Sequence, residues 1–132
     1  MERVAGPELD ALIAEKVMGW RPGIMPRGAE AWFTSPSGDW TEGWLLRKEF
    51  QPSYRISDAW QVVMRMGADS FSFQFYQPSS ISYAKVSFIC GMGPCPKHGN
   101  VLNNHHGSYD VEARTPPLAI SVAALVAKGI LI

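Results

Sequence analysis

Neither sign of charge predominates in this chain: Lys plus Arg total 12 and Asp plus Glu total 12. That balance removes the broad positive field that draws extended nucleic acid or anionic lipid to a protein. Cysteine is scarce, with two residues in 132, so there is no disulfide framework. A chain of this length buries roughly 65–70 % of its unfolded surface and folds without one. A membrane-spanning run is missing too. The most apolar stretch, "PPLAISVAALVAKGILI", falls short of the ~20 residues a bilayer needs, and Lys128 interrupts it. The opening "MERVAGPELD" lacks the apolar segment of a secretion signal. The expectation is a single domain over residues 1–132, soluble and cytoplasmic, with reduced thiols.

Catalytic signatures are also missing. No G-x-S-x-G elbow is present, and no GK[ST] follows the glycines of "CGMGPC". The carboxylates Asp39, Glu42, Asp58, Asp69, Asp110 and Glu112 show no pairing suited to glycoside cleavage. Asp110 and Glu112 share a strand face with Arg114, which reads as a solvated face that neutralises itself. Catalysis is not expected, and no cofactor is implied.

What the chain does have is clear periodicity. Hydrophobic residues make up 46 % of it, enough for a packed core. Residues 7–19 read as a helix: Pro7 suits the first turn, Glu8 and Asp10 suit the positive dipole end, and Gly19 suits the stop. Leu9, Leu12, Ile13 and Val17 form its apolar stripe. A second helix is expected over residues 53–66, with Ile56, Ala59, Trp60, Val63 and Met64 as its apolar face and Gly67 as its stop. Three strands follow. "FSFQF" alternates, with Phe71, Phe73 and Phe75 on one side. "SYAKVSFIC" sets Ala84, Val86, Phe88 and Cys90 against Tyr83, Lys85, Ser87 and Ile89. "YDVEAR" sets Tyr109, Val111 and Ala113 against Asp110, Glu112 and Arg114. "YQPSSI" is short enough for an antiparallel hairpin. A third helix opens at "TPPLA", with Thr115 as N-cap, and runs to Gly129. Residues 21–53 are rich in proline and glycine and read as either a short hairpin or a wrapped loop. The order predicts an α+β fold: an antiparallel sheet of three or more strands packed with three helices in a layered α/β sandwich. The helices are expected on the Phe71/Phe73/Phe75 face.

Three blocks carry a resemblance. "ELDALIAEKVMGW", "PSYRISDAWQVV" and "TPPLAISVAAL" together resemble the phage α/β/α sandwich domain family, small proteins of bacteriophages and prophages. Leu9, Ala11, Val17, Gly19 and Trp20 match the first block of the family pattern. Tyr54, Ile56, Ala59, Trp60, Val62 and Val63 match the second. Pro117, Ala119, Ile120, Ala123, Ala124 and Leu125 match the third. Arg55 replaces a small polar residue, and "SVAAL" stands where the family pattern has "CRAAL". The resemblance implies the fold and a phage origin, and the cytoplasm expected above is then that of the host bacterium. It implies no catalytic motif, and the matched positions read as packing residues.

Three clusters are candidates for function. Cys90, Cys95, His98, His105 and His106 offer five ligand types within one segment, although the C-x4-C-x2-H-x6-H spacing is not that of a standard zinc finger or ribbon. An irregular loop is the favoured reading there, with a zinc site as the other. The same segment, with Gly91, Gly93, Gly99 and Gly107, could serve as a loose anion loop beside Lys97 and His98, or as a plain surface loop. Trp32, Trp40 and Trp44, with Arg47 and Lys48, form either a lid on the core or a stacking platform for a base with cations nearby.

The functional expectation is a non-catalytic phage accessory protein that binds a small, nucleotide-like ligand and sequesters it as a counter-defence factor. The ligand-binding residues would be Trp40, Trp44, Arg47, Lys85, Lys97 and His98. No metal is assigned to the site. One alternative is a protein-binding module directed at a host or phage protein. The other is a zinc-dependent enzyme or zinc-stabilised domain built on the segment from Cys90 to His106. Partners other than the small molecule are not implied by the residues, beyond compatibility with a homo-oligomer. Neither a membrane nor an extended nucleic acid is expected as a partner.

Overall fold

Proline at the start and acidic residues in the first turn set the first helix in the computed structural model, which describes residues 5–35, 41, 43–69, 71–76, 84–90 and 108–130. This helix, α1, spans Pro7–Leu12 and continues as one wide π turn over Ile13–Val17. The Met18 N–H reaches back five residues to the Ile13 carbonyl. Gly19 takes a left-handed φ of 75°, and Trp20 then donates to the Ala14 carbonyl, which closes the end. Leu9, Ile13 and Val17 of the expected stripe are buried; Leu12 is only half-buried, and Ala14, outside that stripe, is buried in the widened π turn.

The segment read as hairpin or loop is a small antiparallel meander. β1 (Arg21–Ile24), β2 (Glu30–Phe33) and β3 (Trp44–Leu46) form a sheet in that order. Gly23 pairs with Ala31, and a side chain at Gly23 would run into the Phe33 ring. Phe33 therefore lies across the glycine and fills the space a β-carbon would take. β2 is the middle strand, and both Ala31 and Trp32 on it are buried.

A turn over residues 51–54 leads into α2 (Ile56–Ala68). The helix starts three residues after Ser53 for a polar reason. Ser53 donates its N–H to Asp10 and accepts the Gly6 N–H on its hydroxyl, so it ties the turn to α1 and is not free to cap α2. Asp58, in the first turn of α2, instead accepts the Gln51 N–H at 2.9 Å. The buried face of α2 also differs from the expected one. Asp58, Ala59, Val62 and Met66 point inward, whereas Ile56, Trp60 and Met64 are exposed.

β4 (Phe71–Tyr76), β5 (Ala84–Cys90) and β6 (Ser108–Ala113) make the second antiparallel sheet. Its register places Phe73, Phe88 and Tyr109 side by side, and Phe75, Val86 and Val111 likewise. α3 (Pro116–Ala127) covers β5 and β6, and α2 covers β4. The helices thus lie on the Phe71/Phe73 face, as alternation predicts. Phe75, on the same face, is 45 % exposed because it sits beyond the helical cover. α3 is apolar on every side and buried on nearly every side, so it forms the centre of the core. Thr115 caps it by accepting the Leu118 N–H. Its last turn closes at Gly129 (φ 79°), where the Ile130 N–H bonds to the Leu125 carbonyl and the Gly129 N–H to that of Val126. The architecture is a layered α+β arrangement of two three-stranded antiparallel sheets and three helices.

Candidate functional site

The first sheet, the start of α1 and the turn after β3 enclose a cavity of about 510 Å³. That lies in the size range of small-molecule sites. β2 supplies Trp32, which is buried and forms one wall. A single 3-10 turn over Arg47–Glu49 follows β3 and turns Arg47 back across that wall. The guanidinium carbon lies 4.6 Å from the Trp32 ring centroid. Its Nη1 is 3.8 Å from a Glu30 carboxylate oxygen, and its buried Nε has no hydrogen-bond partner among the described residues. Lys48, exposed, lies next to it in sequence and also lines the cavity.

The opposite wall comes from α1 and the 51–54 turn. Asp10 is buried, and its carboxylate accepts the Ser53 N–H at 2.8 Å. Burial pushes its pKa above the ordinary aspartate value, and the hydrogen bonds from Ser53 offset only part of that. Tyr54 stands at the rim, 59 % exposed, with its hydroxyl donating to the Ala5 carbonyl. Phe50 is buried and stacks at a tilt on Trp20, with ring centroids 4.7 Å apart. The cavity thus combines aromatic walls, two cations, the exposed Glu30 carboxylate beside Arg47, and the buried Asp10 carboxyl group, whose pKa is raised.

Six residues were expected to bind ligand, and of the three that lie among the described residues, Arg47 alone lines this cavity. Trp44 is on β3, opposite Phe33 and 47 % exposed, and is not among the lining residues. Lys85 belongs to the second sheet. It pairs with Tyr76 and Glu112 on the face away from the helices, beside a shallow concavity with Ser87 and Asp110. The Ser87 hydroxyl donates to Asp110 there. Trp40, Lys97 and His98 lie outside the described residues. Trp32 is part of the core, and it is Arg47, not a ligand, that occupies its ring face.

Asp10 and Tyr54 were not singled out as site residues from the sequence. Asp10 gives a usable signal: it is an acid within the buried face of α1, one residue from Leu9 and three from Ile13. Tyr54 gives none, since its place in the cavity depends on the fold of the 51–54 turn. Cys95, His98, His105 and His106 lie outside the described residues, as does the Cys90 side chain. Among the described residues, no group of three His, Cys, Asp or Glu side chains could hold a metal ion. Among them also, no helix is long and apolar enough to cross a membrane.

The family model of the phage ABA sandwich domain matches residues 11–125, nearly the whole of the helical and sheet framework described above. The chain belongs to the phage ABA sandwich domain family. No curated relative and no solved structure matches it. The cavity of this phage ABA sandwich domain is built in part from the matched framework. Asp10 lies just ahead of the matched span, and Trp32, Arg47 and Tyr54 fall within it.

Proposed function

We propose that this phage protein is a non-catalytic accessory factor that binds a small anionic, planar ligand of nucleotide type in the cavity beside Arg47. Holding such a ligand would remove it from a host defence that uses it as a signal. The observation that carries the reading is the Arg47 guanidinium, its carbon 4.6 Å from the Trp32 ring centroid, at the edge of a cavity of about 510 Å³. The Arg47 side chain is 38 % exposed and lines the cavity, so its charged guanidinium can meet a ligand anion there. Lys48 adds a second cation and Tyr54 an exposed ring for stacking. Among the described residues the cavity lining holds no serine, cysteine or histidine to act as nucleophile or neutral-pH base, which is in keeping with binding.

The test is thermal unfolding with a panel of nucleoside monophosphates, cyclic mononucleotides and cyclic dinucleotides at millimolar concentration. A ligand present at about 100 times its Kd adds about 2.7 kcal/mol, so the midpoint should rise by several degrees with at least one member. Arg47→Gln should lose that rise. The ligand recovered after denaturation should be chemically unchanged. A panel that leaves the midpoint unmoved would sink the binding reading, and recovery of a cleaved product would sink the non-catalytic one.

A further inference from the structure

Among the described residues β4 is an edge strand. In the sheet order it pairs with β5 alone among the described residues. Its sequence, FSFQFY, contains no lysine, proline or charge of the kind that blunts an edge against pairing. α2 lies over this same strand, and its apolar arc is wider than the core uses. Ile56, Trp60 and Met64 are 54 %, 51 % and 66 % exposed. Trp60 meets Phe73 of β4 edge-on, with ring centroids 5.8 Å apart, so the arc flanks the strand. Past the far end of α2, Asp69 is bound by Arg65 and by Lys128 at the end of α3, which places charge toward α3. Phe75 continues the apolar surface along β4. Among the described residues, an open backbone edge and an apolar flank therefore lie side by side.

We infer that the chain pairs with a second copy of itself through this surface, with β4 antiparallel to β4 and the two α2 helices closing over the seam. A second copy fits because antiparallel pairing of one strand with itself is isologous and needs no other sequence. Register decides whether the helical layers agree. Pairing Phe73 with its own equivalent, and Phe71 with Phe75, keeps the helices of both copies on one face of a continuous six-stranded sheet. A slip by one residue would put them on opposite faces and leave both apolar flanks uncovered. Half-exposed side chains of this size offer about 100 Å² each. Ile56, Trp60, Met64 and Phe75 thus supply roughly 400 Å² on the helical side, and the paired backbone, with Tyr76 on the other side of the sheet, adds to this toward the ~800 Å² per partner of a stable interface.

Sedimentation velocity on the full chain at tens of micromolar tests this. The expected mass is twice the 14.6 kDa of the monomer. Met64→Lys and Phe75→Lys place charge on exposed positions, so each should return the chain to monomer mass with its circular dichroism unchanged. Ile24→Lys, on an exposed apolar residue of β1, should leave the dimer intact. A monomeric wild-type chain overturns the inference. So does a dimer that survives Met64→Lys and Phe75→Lys, or one that Ile24→Lys dissociates.

Discussion

Arg47 lies over Trp32, its guanidinium carbon 4.6 Å from the ring centroid, so the residue that closes the core on this side is a cation. A guanidinium is planar and weakly hydrated, which suits it to an aromatic face. A lysine ammonium can approach the ring but cannot lie flat on it and offer fixed donors beside it. Arg47→Lys should therefore cost about 1 kcal/mol, near the middle of the range for such contacts. That corresponds to a midpoint lower by about 3–5 °C for a domain of this size. Arg47→Met keeps much of the apolar cover and removes the unpaired donor, so it should cost no more than the lysine variant. Thermal unfolding of the two variants side by side checks this. A lysine variant as stable as wild type would show that the stack contributes nothing.

Asp10 should make the fold less stable as pH rises. Its folded pKa is raised, first by burial and less by the neighbouring Asp58 charge, while hydrogen bonds from Ser53 pull the other way. The folded state therefore holds the proton more tightly than the unfolded state, whose pKa is near 3.8. Stability from this group is full below that value and is lost as pH climbs through the folded pKa. Asp10→Asn keeps an acceptor for the Ser53 N–H and removes the titration. The variant should equal or exceed wild type at neutral pH and lose that advantage in acid. Urea unfolding of both proteins from pH 3 to pH 7 reads the difference, and parallel curves would refute the assignment.

Asp69 should act with the opposite sign. Burial alone would raise its pKa, but the hydrogen bond and charge of Lys128, with Arg65 beside it, lower the pKa below 3.8. The group stabilises the fold above the unfolded pKa, and the contribution disappears as pH falls through the folded one. The pair is partly exposed, so Asp69→Asn should cost only about 0.5–1 kcal/mol at neutral pH. That cost should vanish in strong acid and shrink in high salt. A cost that is independent of both pH and salt would mean that packing, not charge, is at stake.

The second sheet and the two helices over it were legible because each is long enough to show its period. FSFQFY alternates over six residues, and the spacing of Leu118, Val122 and Leu125 is helical. The first sheet was not legible because its strands, RPGI, EAWF and WLL, are three or four residues long. No periodicity can be read from such lengths, and their pairing is set by contacts such as Phe33 across Gly23. The same limit explains the site. Arg47 was legible as a cation among tryptophans. The role of Asp10 depends on Ser53, 43 residues away, and that contact exists only once the chain has folded. The apolar face of α2 was read too far round, because the sequence shows which residues are apolar and not which of them a monomer buries.

Ser121 provides a last test, one that bears on the core alone. It sits in the middle of α3 with no exposure, between the buried Ile120 and Val122 in sequence, and its hydroxyl has no hydrogen-bond partner among the described residues. Serine in a helix interior can bond back to the carbonyl of the preceding turn, but this one does not. An unpaired buried hydroxyl carries a desolvation cost of about 1–3 kcal/mol. Ser121→Ala removes one oxygen, leaves a space too small for a large cavity cost, and raises helix propensity. It should therefore stabilise the protein by about 1 kcal/mol, because removing the desolvation cost outweighs the small void. Ser121→Val should do worse, since its extra methyl groups meet a core with no room for them. Equilibrium urea unfolding separates these outcomes. A clear loss of stability in Ser121→Ala would mean that the hydroxyl has a partner in solution, such as an ordered water, and that α3 is less dry than its burial indicates.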